Sequence, residues 1–88
     1  MYLVIRCPGC RTFTYVDRYQ RHKLCHVCGE TISVARATVY LEVRDYTEAE
    51  SVVGQLERYL HKKGKEDLTS AEVSRIRAQY VQWLLNQA

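Results

Sequence analysis

Two cysteine pairs place the tightest constraint on this chain: Cys7-Pro8-Gly9-Cys10 and Cys25-His26-Val27-Cys28-Gly29, with 14 residues between them. Two residues between paired cysteines let one tight turn aim both sulfurs at a single point. Two such turns joined by a hairpin-length segment complete a tetrahedron of thiolates. The separation is just below the roughly 15–20 residues usual for this arrangement, a difference one hairpin absorbs. Zinc is the default ion for four thiolates, and iron is the alternative, because these ligands separate the two metals weakly. The sequence therefore predicts one structural Zn2+ on Cys7, Cys10, Cys25 and Cys28, with Gly9 and Gly29 letting the backbone wrap the ion. Four protein ligands close the site, so it would not activate water.

Other uses of the cysteines fit less well. Disulfides belong to oxidising compartments, and the opening Met1-Tyr2-Leu3-Val4-Ile5-Arg6 lacks the basic and long apolar regions of a signal peptide. A cytoplasmic protein is expected. A thioredoxin-like redox site needs one Cys-x-x-Cys at a helix start, whereas both pairs here sit between candidate strands. His26 lies inside the second turn, but four cysteines suffice, and His22, His26 and His61 read as surface residues. With 88 residues the chain is too short for two independent cores, and no apolar run reaches the roughly 20 residues of a membrane helix. No Ser/His/Asp set, paired carboxylates or Gly-rich phosphate loop is evident, so no catalysis is expected.

Charge and texture both change near residue 44. Residues 1–44 hold seven Arg or Lys against three Asp or Glu, a surplus of +4, and residues 45–88 hold six against seven, or −1. Strand signals fill the first half: Tyr2-Leu3-Val4-Ile5-Arg6, Thr12-Phe13-Thr14-Tyr15-Val16, Arg21-His22-Lys23-Leu24 and Thr31-Ile32-Ser33-Val34-Ala35-Arg36. Val39-Tyr40-Leu41-Glu42-Val43 extends the last of these or forms a strand of its own. The second half reads as two helices. Thr47-Glu48-Ala49-Glu50 has the form of a capping box, followed by an apolar stripe and a C-cap at Gly64. Thr69-Ser70-Ala71-Glu72 repeats the box, with Leu68 and Val73 spaced as a hydrophobic staple. The fold class predicted is α+β: a small antiparallel zinc ribbon over 1–44, then an α-helical hairpin over 45–88 packed as part of the same small domain. Loss of metal is expected to unfold residues 1–44, because so small a ribbon builds little core by itself.

Binding residues follow from the same pattern. Arg11, Arg18, Arg21 and Lys23 surround the cysteine turns with Tyr19 among them, cations for phosphates and a ring to stack on a base. A solvated basic face over an aromatic core is the plain alternative. A loaded four-thiolate site adds about −2, which takes the formal charge of +3 to about +1. That is weak for a free-standing DNA binder. It suits a module that binds nucleic acid, RNA more than DNA, inside a ribonucleoprotein or transcription or translation assembly. A second reading is a protein-interaction adaptor docking through Tyr80, Trp83 and Leu84. Trp83 is then an anchor for a partner or for a second copy of the chain, a homodimer; otherwise it is the edge of the core. An iron-loaded electron carrier is a third reading. Arg75, Arg77, Lys62, Lys63 and Lys65 read as a solvated helix face.

The two cysteine turns resemble the knuckles of zinc-ribbon and rubredoxin-like proteins. The opening Met1-Tyr2-Leu3-Val4-Ile5-Arg6-Cys7, the second knuckle, the strand after it and Tyr46-Thr47-Glu48-Ala49-Glu50 are similar to a family of short archaeal zinc-ribbon proteins of uncharacterised function. The resemblance spans about residues 1–60 and implies a zinc ribbon with a helix, and no activity.

Overall fold

A computed structural model describes residues 1–86. Five strands precede two helices: β1 (Tyr2–Arg6), β2 (Phe13–Asp17), β3 (His22–Leu24), β4 (Thr31–Ser33), β5 (Leu41–Val43), α1 (Tyr46–Lys63) and α2 (Ser70–Asn86). The architecture is the expected α+β one. β1 is the centre of an antiparallel sheet ordered β2-β1-β5, and β3 pairs with β4 in a separate two-stranded ribbon.

The apolar run of β1 is explained by burial on both faces. Successive strand side chains point to opposite sides. Val4 lies opposite Tyr15 and Leu41, and Arg6 opposite Phe13, which fixes one face. That face carries Val4, Phe13, Leu41 and Val43 against Ala49, Leu56 and Leu60 of α1 and Leu68. Ile5 and Val16 occupy the other face and pack with Cys7, Cys25, Ile32 and Val34 under the β3–β4 ribbon. One sheet thus divides the apolar interior into a helical layer and a cysteine-bearing layer. Of the expected strand 39–43, Leu41–Val43 forms a strand of its own, paired with β1 and not with β4, while residues 39 and 40 lie outside it.

α1 starts two residues before the expected position. Asp45, not Thr47, is the N-cap: its carboxylate accepts from the Glu48 amide at 2.9 Å. The Thr47 hydroxyl donates to that same carboxylate, so Asp45 outcompetes it as acceptor. Glu50, freed from capping, accepts from the Tyr15 hydroxyl at 2.9 Å. Glu57 accepts from the Phe13 backbone amide at 2.8 Å and ties α1 to β2. At the other end Gly64 takes the left-handed conformation (φ 66°), as its C-cap assignment requires.

The second capping box forms as read: Thr69 and Glu72 exchange backbone-to-side-chain bonds of 2.9 and 3.2 Å. α2 buries no residue completely; Val73, Ile76 and Tyr80 are partly buried against the helical layer. Polar clasps supplement this thin packing. Tyr59 donates to Glu72, and Tyr80 donates to Glu48, so the helices run antiparallel. Arg77 is exposed, as expected, but it is also engaged. Its guanidinium donates to the carbonyls of Tyr40 (3.0 Å) and Val39 (2.7 Å), which lie outside the sheet ladder.

Glu72 gives a pH test of this clasp. Lys65, the Thr69 amide and Tyr59 hold its carboxyl down to about 2. A depressed folded-state value stabilises above the ordinary carboxyl range and is lost as pH falls towards about 2. Amide exchange along the first turns of α2 should therefore accelerate in that acid window. Glu72→Gln should remove the acid step; an α2 protection profile flat across the window would contradict this.

Candidate metal centre

The two cysteine turns share one backbone design. The Cys7 amide donates to the Thr12 carbonyl at 2.9 Å, and the Cys25 amide to the Glu30 carbonyl at 2.8 Å. The Arg11 amide donates to the Cys7 carbonyl at 2.8 Å, and the Gly29 amide to the Cys25 carbonyl at 2.9 Å. Arg11 and Gly29 are thus equivalent positions, and both have positive φ, 65° and 76°. The left-handed residue of the first knuckle is therefore Arg11, where Gly9 was expected to ease the turn. Gly9 has no positive φ, and a Cβ there would meet only the carboxylate end of the exposed Glu30 side chain.

These turns bring Cys7, Cys10, Cys25 and Cys28 together, their sulfurs all within 4.8 Å of one another. Cys7 Sγ lies 3.6 Å from Cys28 Sγ, and Cys10 Sγ 3.5 Å from Cys25 Sγ. Those are opposite edges of a tetrahedron. A tetrahedron with metal–sulfur bonds of about 2.3 Å has edges of about 3.8 Å, so the residues fit one ion. The sulfurs are too far apart for disulfides, which need about 2.05 Å. Cys7 and Cys25 are buried, Cys10 is half-buried and Cys28 is exposed.

The electrostatics also call for a cation. The Thr12 hydroxyl and amide bring the Cys10 thiol down to about 6. Amides of Cys28 and Val27 lower Cys25. The Glu30 amide pulls Cys28 down too, yet the partial desolvation of its sulfur, on a residue otherwise exposed, and the three neighbouring sulfurs outweigh it and push that thiol up to about 12. Four adjacent sulfurs cannot all ionise without a counter-charge, and a divalent ion supplies it. When bound, the ion cross-links the knuckles and leaves no open position for chemistry. His26 is exposed and outside the sulfur cluster.

Residues 1–58 match DUF1922, described as a domain of unknown function. The chain belongs to the DUF1922 family. The match takes in both knuckles, all five strands and most of α1, while α2 lies beyond it. No curated protein and no solved structure matches the chain.

In this DUF1922 chain the other candidate residues separate into distinct places. Tyr19 stands in the β2–β3 turn at 85% exposure. The Arg18 guanidinium lies 5.9 Å from its ring and 3.8 Å from Glu42. Arg21 is exposed and makes no ion pair among the described residues. Lys23 extends over the Tyr15 ring at 5.7 Å. Arg11 faces elsewhere, towards the interhelical loop, 3.5 Å from Asp67 and 3.4 Å from the Glu66 carbonyl. Tyr80 is half-buried, bound to Glu48 and to the Arg44 amide. Trp83 stacks on Tyr80 at 5.9 Å with Arg44 above it at 5.4 Å, and Leu84 is half-buried beside them.

Asp67 is a residue that sequence reasoning missed. It accepts from Arg6 at 2.8 Å and from the Tyr40 hydroxyl at 3.0 Å, besides its bridge to Arg11. Partial burial opposes its ionisation, but the Leu68 amide, Tyr40 and the two arginines prevail and keep its carboxyl below the ordinary range. It latches the helical half to the first knuckle. The only signal was the acidic Glu66-Asp67 pair in a chain whose first half is basic.

Proposed function

We propose that this chain is a non-catalytic module in which one structural zinc ion holds a nucleic-acid-binding face, RNA before DNA, for use inside a larger assembly. The observation that carries it is Tyr19, a nearly bare aromatic ring between Arg18 and Arg21. Folding gains nothing from a ring left in water, whereas an unpaired base stacks on one readily. Leu24 and Val27 are exposed beside the same ribbon, so the face offers apolar contact as well as charge. Single-stranded RNA presents splayed bases and phosphates together, which suits that mixture.

Fluorescence anisotropy with a labelled single-stranded RNA tests this reading. Replacing Arg18, Arg21 and Lys23 together by Ser should weaken binding and flatten the slope of log K against log salt by about 2. Tyr19→Ala should cost about 1–3 kcal/mol with the slope intact. Wild-type affinity in both variants would defeat the proposal.

The second reading, a protein adaptor, draws on α2. That helix leaves Val81, Trp83 and Leu85 exposed and lies outside the family match. Trp83→Ala should then abolish co-purification of a partner while the thermal midpoint holds; retained capture would exclude Trp83 as the anchor.

A further inference from the structure

A cleft of about 480 Å³ lies between the first knuckle, β4 and the segment leading to β5. Arg6, Arg11 and Arg36 open onto it, together with Thr31, Ser33 and Thr38. Asp67 is the carboxylate on its lining, and it is already engaged by Arg6, Arg11 and Tyr40. Arg36 is exposed and forms no ion pair among the described residues.

The Asp67 carboxylate shows what this wall accepts, namely oxygens carrying negative charge. Arginine forks match phosphoryl oxygens as well as carboxylates, and hydroxyl groups complete such a shell. Arg11 holds a left-handed backbone where the second knuckle uses glycine. The adjoining four-thiolate centre contributes about −2 when loaded, so directed donors rather than a long-range field would hold an anion here. Thr31 and Ser33 pair across the ribbon with Leu24 and His22, so the cleft shares a side of the ribbon with the exposed Leu24.

We propose that this cleft binds a phosphoryl oxyanion, with Arg36 as the free cation, Thr31, Ser33 and Thr38 as hydroxyl partners, and the Arg6–Asp67–Arg11 cluster as its fixed wall. In nucleic acid the group is a backbone phosphodiester, an identification that rests on the reading above; free phosphate is the other source.

Metal-loaded, isotope-labelled protein titrated with inorganic phosphate, and separately with single-stranded RNA, tests the cleft by NMR. Saturable shifts at the Arg36 side chain and at Thr31, Ser33 and Thr38 are expected. Arg36→Ser should weaken the response about tenfold, the equivalent of one charge-assisted hydrogen bond. Arg75→Ser, on the far helix, should not alter it. Cleft shifts with phosphate but no RNA binding would support the site and remove the nucleic-acid reading. RNA binding through Tyr19 and Arg21 with a silent cleft would overturn the site and leave that reading standing. Shifts undiminished in Arg36→Ser, or none with either probe, would also overturn it.

Discussion

Removing the metal under reducing conditions should melt β3, β4 and both knuckles while α1 stays protected on the β1–β2–β5 sheet. The layer beneath the ribbon contains six buried residues, Ile5, Cys7, Val16, Cys25, Ile32 and Val34, and two of them are sulfur ligands. β3 and β4 are three residues each, and a hairpin of that size is marginal in water. Structural zinc supplies about 10–16 kcal/mol in small metal domains, comparable with the whole stability of a typical domain. The sheet's other face is independent of the ion. It packs Val4, Phe13, Leu41 and Val43 against α1. The expectation from sequence that all of residues 1–44 unfold is thereby narrowed to about residues 7–12 and 21–37. Amide exchange with and without chelator measures it. Fast exchange at Lys23 and Ile32 with slow exchange at Leu56 is the expected pattern; unchanged protection at Ile32 after verified metal loss would refute it.

The second large effect concerns the helical layer. Phe13 is 1% exposed, meets Tyr40 edge-on at 5.2 Å and lies under the Arg6 guanidinium at 4.5 Å. Phe13→Ala leaves a cavity that the surrounding sheet and helix cannot fill, and should cost about 3–5 kcal/mol. In a domain whose total is about 5–15 kcal/mol, that is enough to unfold a substantial fraction of the chain at 37 °C. The lost ring also removes the floor beneath Arg6, which holds Asp67 and so the interhelical loop. Tyr19→Ala is the control of similar size, and should stay within about 0.5 kcal/mol because its ring is in solvent. Urea unfolding of the metal-loaded proteins compares them. A Phe13→Ala loss below about 1 kcal/mol would mean that this face is not a packed interior.

Local chemistry made much of this molecule legible. The knuckles, the second capping box and the Gly64 cap depend on neighbours in sequence, and the structure has each of them. Features set by distant pairing were not legible. Asp45 and Thr47 are both good N-caps, and their local pattern does not rank them. The pairing of β5 with β1 rather than β4 depends on Val4 needing Leu41 beside it, a contact across 37 positions. Helix periodicity shows the exposure of Arg77 but not its bonds, because the carbonyls it satisfies belong to residues 39 and 40 in the segment leading to β5. Asp67 was hidden for the same reason. In the candidate metal centre the four ligands could be read from spacing, while the left-handed Arg11 could not. Its place opposite Gly29 is visible only when the two turns are laid on each other.

Native mass spectrometry with elemental analysis addresses the central claim most directly. Protein isolated without added metal should carry one ion per chain, identified as zinc, at the mass of the reduced chain plus one Zn2+ in place of two protons, and all four cysteines of the cluster should resist alkylation until the metal is removed. A folded, metal-free chain with free thiols, or one lighter by the hydrogens lost to disulfides, would contradict the claim.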